Sequence, residues 1–235
     1  MLIDNFDLLP AYVLHQQSFK ETSLLVELFT PTQGRIAVVA KGARAKRSPV
    51  RGLLLLGQPL LISARGRGDL LTLTHAESAG KPLLLNRAPL FSLFYVNEII
   101  LHSLHRGEAY PAVYEAYTRL LDSLGEGSEI SVNSGLRRFE YQFIHAMGYG
   151  IDLAYESKTH ALIQSDAWYC ITPEMHVEQV DPVFKQAYSG AVLLACSSGI
   201  FPDDPQVWPQ AKRLMRQLLY PLLGDREIKS RCLFQ

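Results

Sequence analysis

The chain has little of what marks a membrane, secreted or metal-built protein. Its three cysteines, Cys170, Cys196 and Cys232, are odd in number and far apart, which argues against a disulfide framework and fits a reducing compartment. No two of them form a CxxC pair, so a structural zinc site lacks its thiolates and no metal is expected. No apolar run reaches the ~18 residues that a bilayer-spanning helix needs. The Leu-rich segment from Leu53 to Ile62 is interrupted by Gly57, Gln58 and Pro59. The opening MLIDNFDLLP carries two Asp and no positive charge, unlike a signal peptide, so the expected location is the cytoplasm, with no membrane partner.

Catalytic signatures are missing as well. There is no GxxxxGK[ST], HExxH or GxSxG, and no dinucleotide fingerprint between a strand and a helix. His102 and His105 are three apart on a helix, but without a third ligand at a matching spacing they read as surface or packing histidines. Cys170 and His176 read the same way, and Cys196 on an apolar helix reads as a small core residue. No enzyme and no cofactor is expected.

The most informative absence is acid. From Leu28 to Gly68, 41 residues contain no Asp or Glu but eight basic side chains: Arg35, Lys41, Arg44, Lys46, Arg47, Arg51, Arg65 and Arg67. The whole chain is balanced, with 23 basic and 23 acidic residues. Residues 1–80 carry nine Lys/Arg against six Asp/Glu, a net of +3, and the remainder, with 14 against 17, sits at −3. A solvated face is served by mixed signs; an unopposed basic run is the footprint of a polyanion partner. One end of the protein is therefore expected to be a positive surface.

At 235 residues, with 48% apolar and 20% charged, the chain is ordinary globular material, long enough for one large or two ordinary domains. Short Leu/Val/Ile/Thr-rich runs at Tyr12–Leu14, Ser23–Phe29, Arg35–Ala40, Leu60–Ser63 and Leu70–Thr74 alternate with turn chemistry, which predicts five strands within residues 1–80. Five short strands suggest a small closed or partly open barrel. Residues 65–69 form a hairpin turn with two glycines available for positive φ. Residues 41–48 link the third and fourth strands and place four cations on the barrel rim, where they would track a phosphate backbone. The barrel's aromatics are Phe6, Tyr12, Phe19 and Phe29, some of them core, so binding is expected to rest on charge with little sequence preference.

After Pro82 the period becomes helical. Leu93, Val96, Ile100, Leu101 and Leu104 form one stripe, and Pro111 opens a second helix with Val113, Tyr117, Leu120, Leu121 and Leu124 inward. A third helix is expected to start near Asn133 or Ser134 and to bury Leu136, Phe139, Phe143 and Met147 before Gly148. Residues 149–180 lose the pattern and read as an irregular insert with β-like pieces at Ala161–Gln164 and Trp168–Ile171. Asp181 and Pro182 predict a helix start running to about Cys196. A last helix follows Asp203, Asp204 and Pro205, or begins at Pro209, with Val207, Ala211, Leu214 and Leu218 inward. The fold class is thus α+β: a β-barrel over residues 1–80, then an α-helical domain over 81–235.

Several segments together resemble the bacterial RecO family of recombination mediators: ETSLL at 21–25, GRIAVVAKGARAKRS at 34–48, NEI at 97–99, LRRFE at 136–140, GYG at 148–150, AKR at 211–213, and KSR followed by Leu233 and Phe234. The resemblance covers nearly the whole chain, and 34–48 is its specific part. It implies an N-terminal OB-fold, a helical domain and a non-enzymatic role. That role comprises binding single- and double-stranded DNA, annealing complementary strands, and loading RecA with the partner RecR onto strands coated by single-stranded-DNA-binding protein (SSB). Some members carry a four-cysteine zinc motif after the GYG position; here that stretch holds only Cys170, and Cys232 replaces an acidic residue.

The resemblance also implies contact between the helical domain and the acidic, Phe-ending tail of SSB. Such a tail needs cations and an apolar pocket. Arg137 and Arg138 beside Leu136 and Phe139 offer that combination, with Lys212, Arg213 and Arg216 as further candidates; the alternative is that these arginines pair with Glu140 and other acids of the helices. The alternative class is an RNA-binding or ribosome-associated OB protein, which a DNA-versus-RNA preference would separate because an RNA site must read the 2′-hydroxyl. A metal-dependent nuclease is a second alternative, tested by incubating DNA with Mg²⁺ or Mn²⁺.

Overall fold

The structure, a computed structural model, describes residues 4–202 and 204–234. Five strands come first: β1 Asp4–Phe19, β2 Ser23–Thr30, β3 Gly34–Ala40, β4 Pro59–Gly66 and β5 Leu70–Ser78. They close into a barrel in the order β1-β2-β3-β5-β4, with β4 returning to β1. Every pairing is antiparallel except β3 with β5, a parallel ladder of three residue pairs from Ala37–Leu70 to Val39–Thr72. This is the five-stranded OB-fold arrangement. Alternate residues Val26, Leu28, Ile36, Val38 and Ile62 fill the interior, as the period of two demands.

The first strand is much longer than the 12–14 run that its sequence suggests. It serves two partners: its first half pairs with β4 (Phe6 opposite Ala64) and its second half with β2 (Gln16 opposite Val26). Between Phe6 and Leu9 the register shifts, and Leu8 takes φ +47°, which bends the strand around the barrel. Exposed Pro10 and the polar run at 15–18 interrupt the alternation that would have revealed this length.

The chain divides into two compact units, one reaching to Gly125 and resuming at Glu227, the other Glu126–Arg226. In the first, helices α1 (Arg87–Ser103) and α2 (Pro111–Glu126) follow the barrel, and a short 3₁₀ helix, Lys229–Phe234, packs on α1. Leu93, Val96 and Ile100 are buried on α1, and Val113, Tyr117, Leu120, Leu121 and Leu124 on α2, as their spacing requires. Asn97 joins helix to barrel: its amide donates to Leu14 O at 2.9 Å and its carbonyl accepts from Tyr117 Oη at 2.8 Å. At Gly34, φ is +56° and an added Cβ would lie 1.7 Å from Glu108 O, so only glycine lets the β2–β3 turn approach the segment before α2.

In the second unit, α3 is Glu129–Ala146, α4 Gly190–Ser198 and α5 Val207–Leu223. Helix α3 starts earlier than Asn133 or Ser134, because Ser128 is the cap and accepts from Ser131 N at 3.1 Å. The insert is not irregular throughout: β6 Trp168–Ile171, β7 Val177–Val180 and β8 Tyr188–Ser189 make a three-stranded antiparallel sheet in the order β7-β6-β8. Asp181 does not open a helix. Its carboxylate accepts from Val183 N at 3.0 Å in a turn that is not continued, and α4 begins only after β8. Helix α5 begins at Val207, which leaves Pro209 in the first turn, where its missing N–H has no helical partner to lose. The predicted role of Asp203 lies outside the described residues.

Candidate nucleic-acid interface

The loop after β3 is built from inside outward. Ala43 and Leu54 are wholly buried in the barrel core, with Val50 and Leu53 packed against it, so this basic segment is pinned down despite its lack of regular structure. Gly42 turns the chain at φ +68°, and Arg44 N donates to Thr22 O at 2.8 Å, tying the loop to the β1–β2 turn. Between these anchors Lys41, Arg44, Lys46, Arg47 and Arg51 all point to solvent. The Arg44 guanidinium donates to Lys20 O at 3.3 Å, which brings Lys20 to the same rim. Lys20 escapes a reading by charge runs because it is isolated in sequence; only the docking of the two turns shows its place. The loop and β5 enclose a cleft of about 310 Å³ walled by Pro49, Val50 and Leu73 and rimmed by Lys41, Arg47 and His75.

The eight cations of 28–68 do not form one patch. Register places Lys41 beyond the end of β3, whereas Arg65 and Arg67 lie at the β4–β5 hairpin, opposite the start of β1 and near the start of β3. The ends of β3 are roughly 20 Å apart at ~3.3 Å per residue. Arg65 donates to Asn5 Oδ1 at 3.1 Å, and Arg67 is exposed on the turn.

Arg35 faces inward. Its Nη1 donates to Leu101 O at 2.6 Å and Leu104 O at 2.8 Å, its Nη2 pairs with Glu27 at 3.2 Å, and its side chain is 11% exposed. Arg106 pairs with the other oxygen of the same carboxylate. Arg35 thus clamps the barrel to the end of α1, a part its position in a basic run could not disclose. The outward face of β2 and β3 is covered in the same way: Glu27, Phe29, Ala37 and Val39 are all buried. Phe29 lies 5.4 Å from Tyr114 and 5.8 Å from Tyr117, and Tyr12 lies 5.6 and 5.4 Å from the same rings.

The candidate tail-binding residues separate likewise. Leu136 and Phe139 are core residues at 4% and 1% exposure, with Phe139 stacked on Phe143 at 5.7 Å, so they offer no surface pocket. Arg137 is buried and paired with Glu140, Nη1 to Oε2 2.8 Å. Arg138, half-buried, donates to Gly199 O at 2.9 Å. Lys212, Arg213 and Arg216 are exposed on α5, with Arg213 donating to Ala187 O and lying 4.4 Å over the Tyr188 ring. Among the described residues no group of three His, Cys, Asp or Glu is placed to hold a metal, and no helix is long and apolar enough to cross a membrane.

A closed barrel in this strand order, with an acid-free cationic loop at its rim and followed in the chain by a helical region, defines an OB-fold protein with an appended helical domain. Family models agree in detail. The N-terminal model of recombination protein O matches residues 8–81 and the C-terminal model residues 87–231. Relatives named DNA repair protein RecO include those of Dechloromonas aromatica, 38% identical over 96% of this chain and 94% of its own length, and Nitrosococcus oceani, 39% identical over 96% and 92%. The protein from Pasteurella multocida is 38% identical over 95% of this chain and 92% of its own. The chain belongs to the RecO family.

Proposed function

We propose that the chain is a cytoplasmic DNA repair and recombination mediator that binds single- and double-stranded DNA through the basic rim, anneals complementary strands, and with RecR helps load RecA on SSB-coated strands. The observation that carries this reading is the anchored 41–51 loop: five exposed cations with no acid between Leu28 and Gly68, on a barrel of a fold that binds oligonucleotides. Two strands repel one another; a cationic rim neutralises phosphates and lets complements meet, with no covalent step. With Lys20 the rim offers six cations, and six neutralised phosphates give log K against log salt a slope of about −4 on single strands.

Tethering to the SSB tail would raise the local concentration of the rim at coated strands rather than tighten it. With Leu136, Phe139 and Arg137 buried, the exposed cations that support such a tether are Lys212, Arg213 and Arg216 on α5. The test is annealing of two complementary oligonucleotides, naked and SSB-coated, by the wild type and by a Lys41/Arg44/Lys46/Arg47→Ala variant. Loss of annealing in the folded variant supports the rim; undiminished annealing sinks it.

A further inference from the structure

Single-strand sites on OB-folds stack bases on aromatic rings of the sheet. Here the rings of Tyr12 and Phe29 are covered by α2, while Phe6 and Phe19 lie half-buried near the two ends of β1. Phe29 is wholly buried and, with Tyr12, faces Tyr114 and Tyr117 of α2. A strand lying on the basic loop therefore finds no ring of that covered face to stack on.

Two clefts flank the short β3–β5 ladder. The one at the start of β3 holds Asp69 beside Arg35 and Arg106, whose charges Glu27 already opposes. The one at its end, between the loop and β5, differs: Pro49, Val50 and Leu73 give it an apolar wall, Lys41 and Arg47 stand on its rim, and no carboxylate lines it. Its volume of about 310 Å³ is at the small end of ligand pockets. An apolar slot bordered by two exposed cations matches a flat apolar ring carried between two phosphates.

We propose that this cleft takes one unstacked base of single-stranded DNA, with the flanking phosphates on Lys41 and Arg47. The proposal rests on the DNA-binding reading above and adds to it a place where the strand is held by its base. A paired base is not free to enter, so the cleft favours single strands over duplex at this point of the rim, while the remaining cations serve either form. Thr74 and His75 also line the cleft, but Thr74 Oγ1 donates to Ser63 O at 3.0 Å and His75 Nε2 meets Glu77 at 3.2 Å, so the cleft is not built to select one base.

The test compares two single-stranded oligonucleotides of equal length, one intact and one with its central nucleotides made abasic, in equilibrium titrations at fixed salt. Both keep their phosphates, so a site that reads charge alone binds them equally. The expected result is a roughly tenfold weaker titration of the abasic strand by the wild type, within the range a sheltered base contributes. Ala45→Leu, which fills the cleft from an exposed lining position without adding a ring to stack on, should bring the ratio close to one. Equal wild-type affinities for the two strands would overturn the base cleft and leave the DNA-binding reading standing. No binding of either strand would overturn both. The wild-type comparison stands whether or not the leucine variant folds.

Discussion

Arg137 and Glu140 form an ion pair one turn apart on α3, with Nη1 2.8 Å from Oε2 and side chains only 8% and 0% exposed. A pair so deeply buried is sensitive to loss of one partner, because the remaining charge keeps its desolvation penalty without its counter-ion. Arg137→Ala should therefore destabilise the second unit by about 3 kcal/mol, visible as a lowered Tm. Any loss of SSB-tail binding in that variant would be secondary to this, and Lys212→Ala with Arg216→Ala is the cleaner probe of the tail. An unchanged Tm for Arg137→Ala would show the pair to be dispensable.

Arg35 and the loop cations give opposite signatures. Removing the Arg35 side chain strips two carbonyls and Glu27 of a donor, so Arg35→Ala should cost about 2–4 kcal/mol of stability and leave the salt slope of DNA binding unchanged. Lys46→Ala with Arg47→Ala, both exposed, should keep stability within about 0.5 kcal/mol and flatten the single-strand slope by about 1.4. Denaturant melts paired with salt titrations check both. A flattened slope for Arg35→Ala would place that guanidinium on phosphate after all.

What was legible in the sequence follows from what is local. Strand alternation at 23–29 and 35–40 and the helical stripes of α1, α2 and α5 are set by neighbours along the chain, and they stand where the spacing placed them. The 41–48 loop and its exposure were legible because charge and glycine speak for themselves. The turn of Arg35 away from solvent was not, because Glu27 and the end of α1 are brought to it only by strand pairing and packing; the pairing of Arg137 with Glu140, three residues on along one helix, was open to the sequence as an alternative, whereas the burial of that pair was not. The cap at Ser128 was hidden because Asn133 and Ser134 are equally good caps in isolation. The covering of Tyr12 and Phe29 by Tyr114 and Tyr117 of α2 is a tertiary fact that no window of sequence contains.

The three thiols should react very unequally. Cys232 is exposed, whereas burial pushes the Cys196 thiol up to about 12 and raises that of Cys170 as well. The thiolate is the nucleophile, so at neutral pH a maleimide or disulfide reagent should label one cysteine in the native protein and three after denaturation. Cys232→Ser should abolish the native labelling. Rapid native labelling at Cys196 would mean that α4 opens readily.

The C-terminal segment is held by one carboxylate, and acid should release it. Glu98 on α1 accepts from Lys229 N at 2.8 Å, from Ser230 N at 2.8 Å and from Ser230 Oγ at 2.6 Å, capping the last 3₁₀ helix. Burial pushes its carboxyl up, but the Ser230 hydroxyl, the two amides and His102, 3.7 Å away, together outweigh burial and hold it below the ordinary value of 4.5. A group whose folded pKa is depressed contributes its stability above the unfolded value and loses it as pH falls through the folded one. The anchor should thus be fully present from neutral pH down to about 4.5 and fade below it. Amide exchange at Lys229 and Ser230, corrected for intrinsic rates, should be slow and level above that point and accelerate beneath it. Glu98→Gln, which keeps the shape without the charge, should exchange faster at pH 7 and lose the acid step; equal protection in the two proteins at pH 7 would show that α1 packing alone holds the segment.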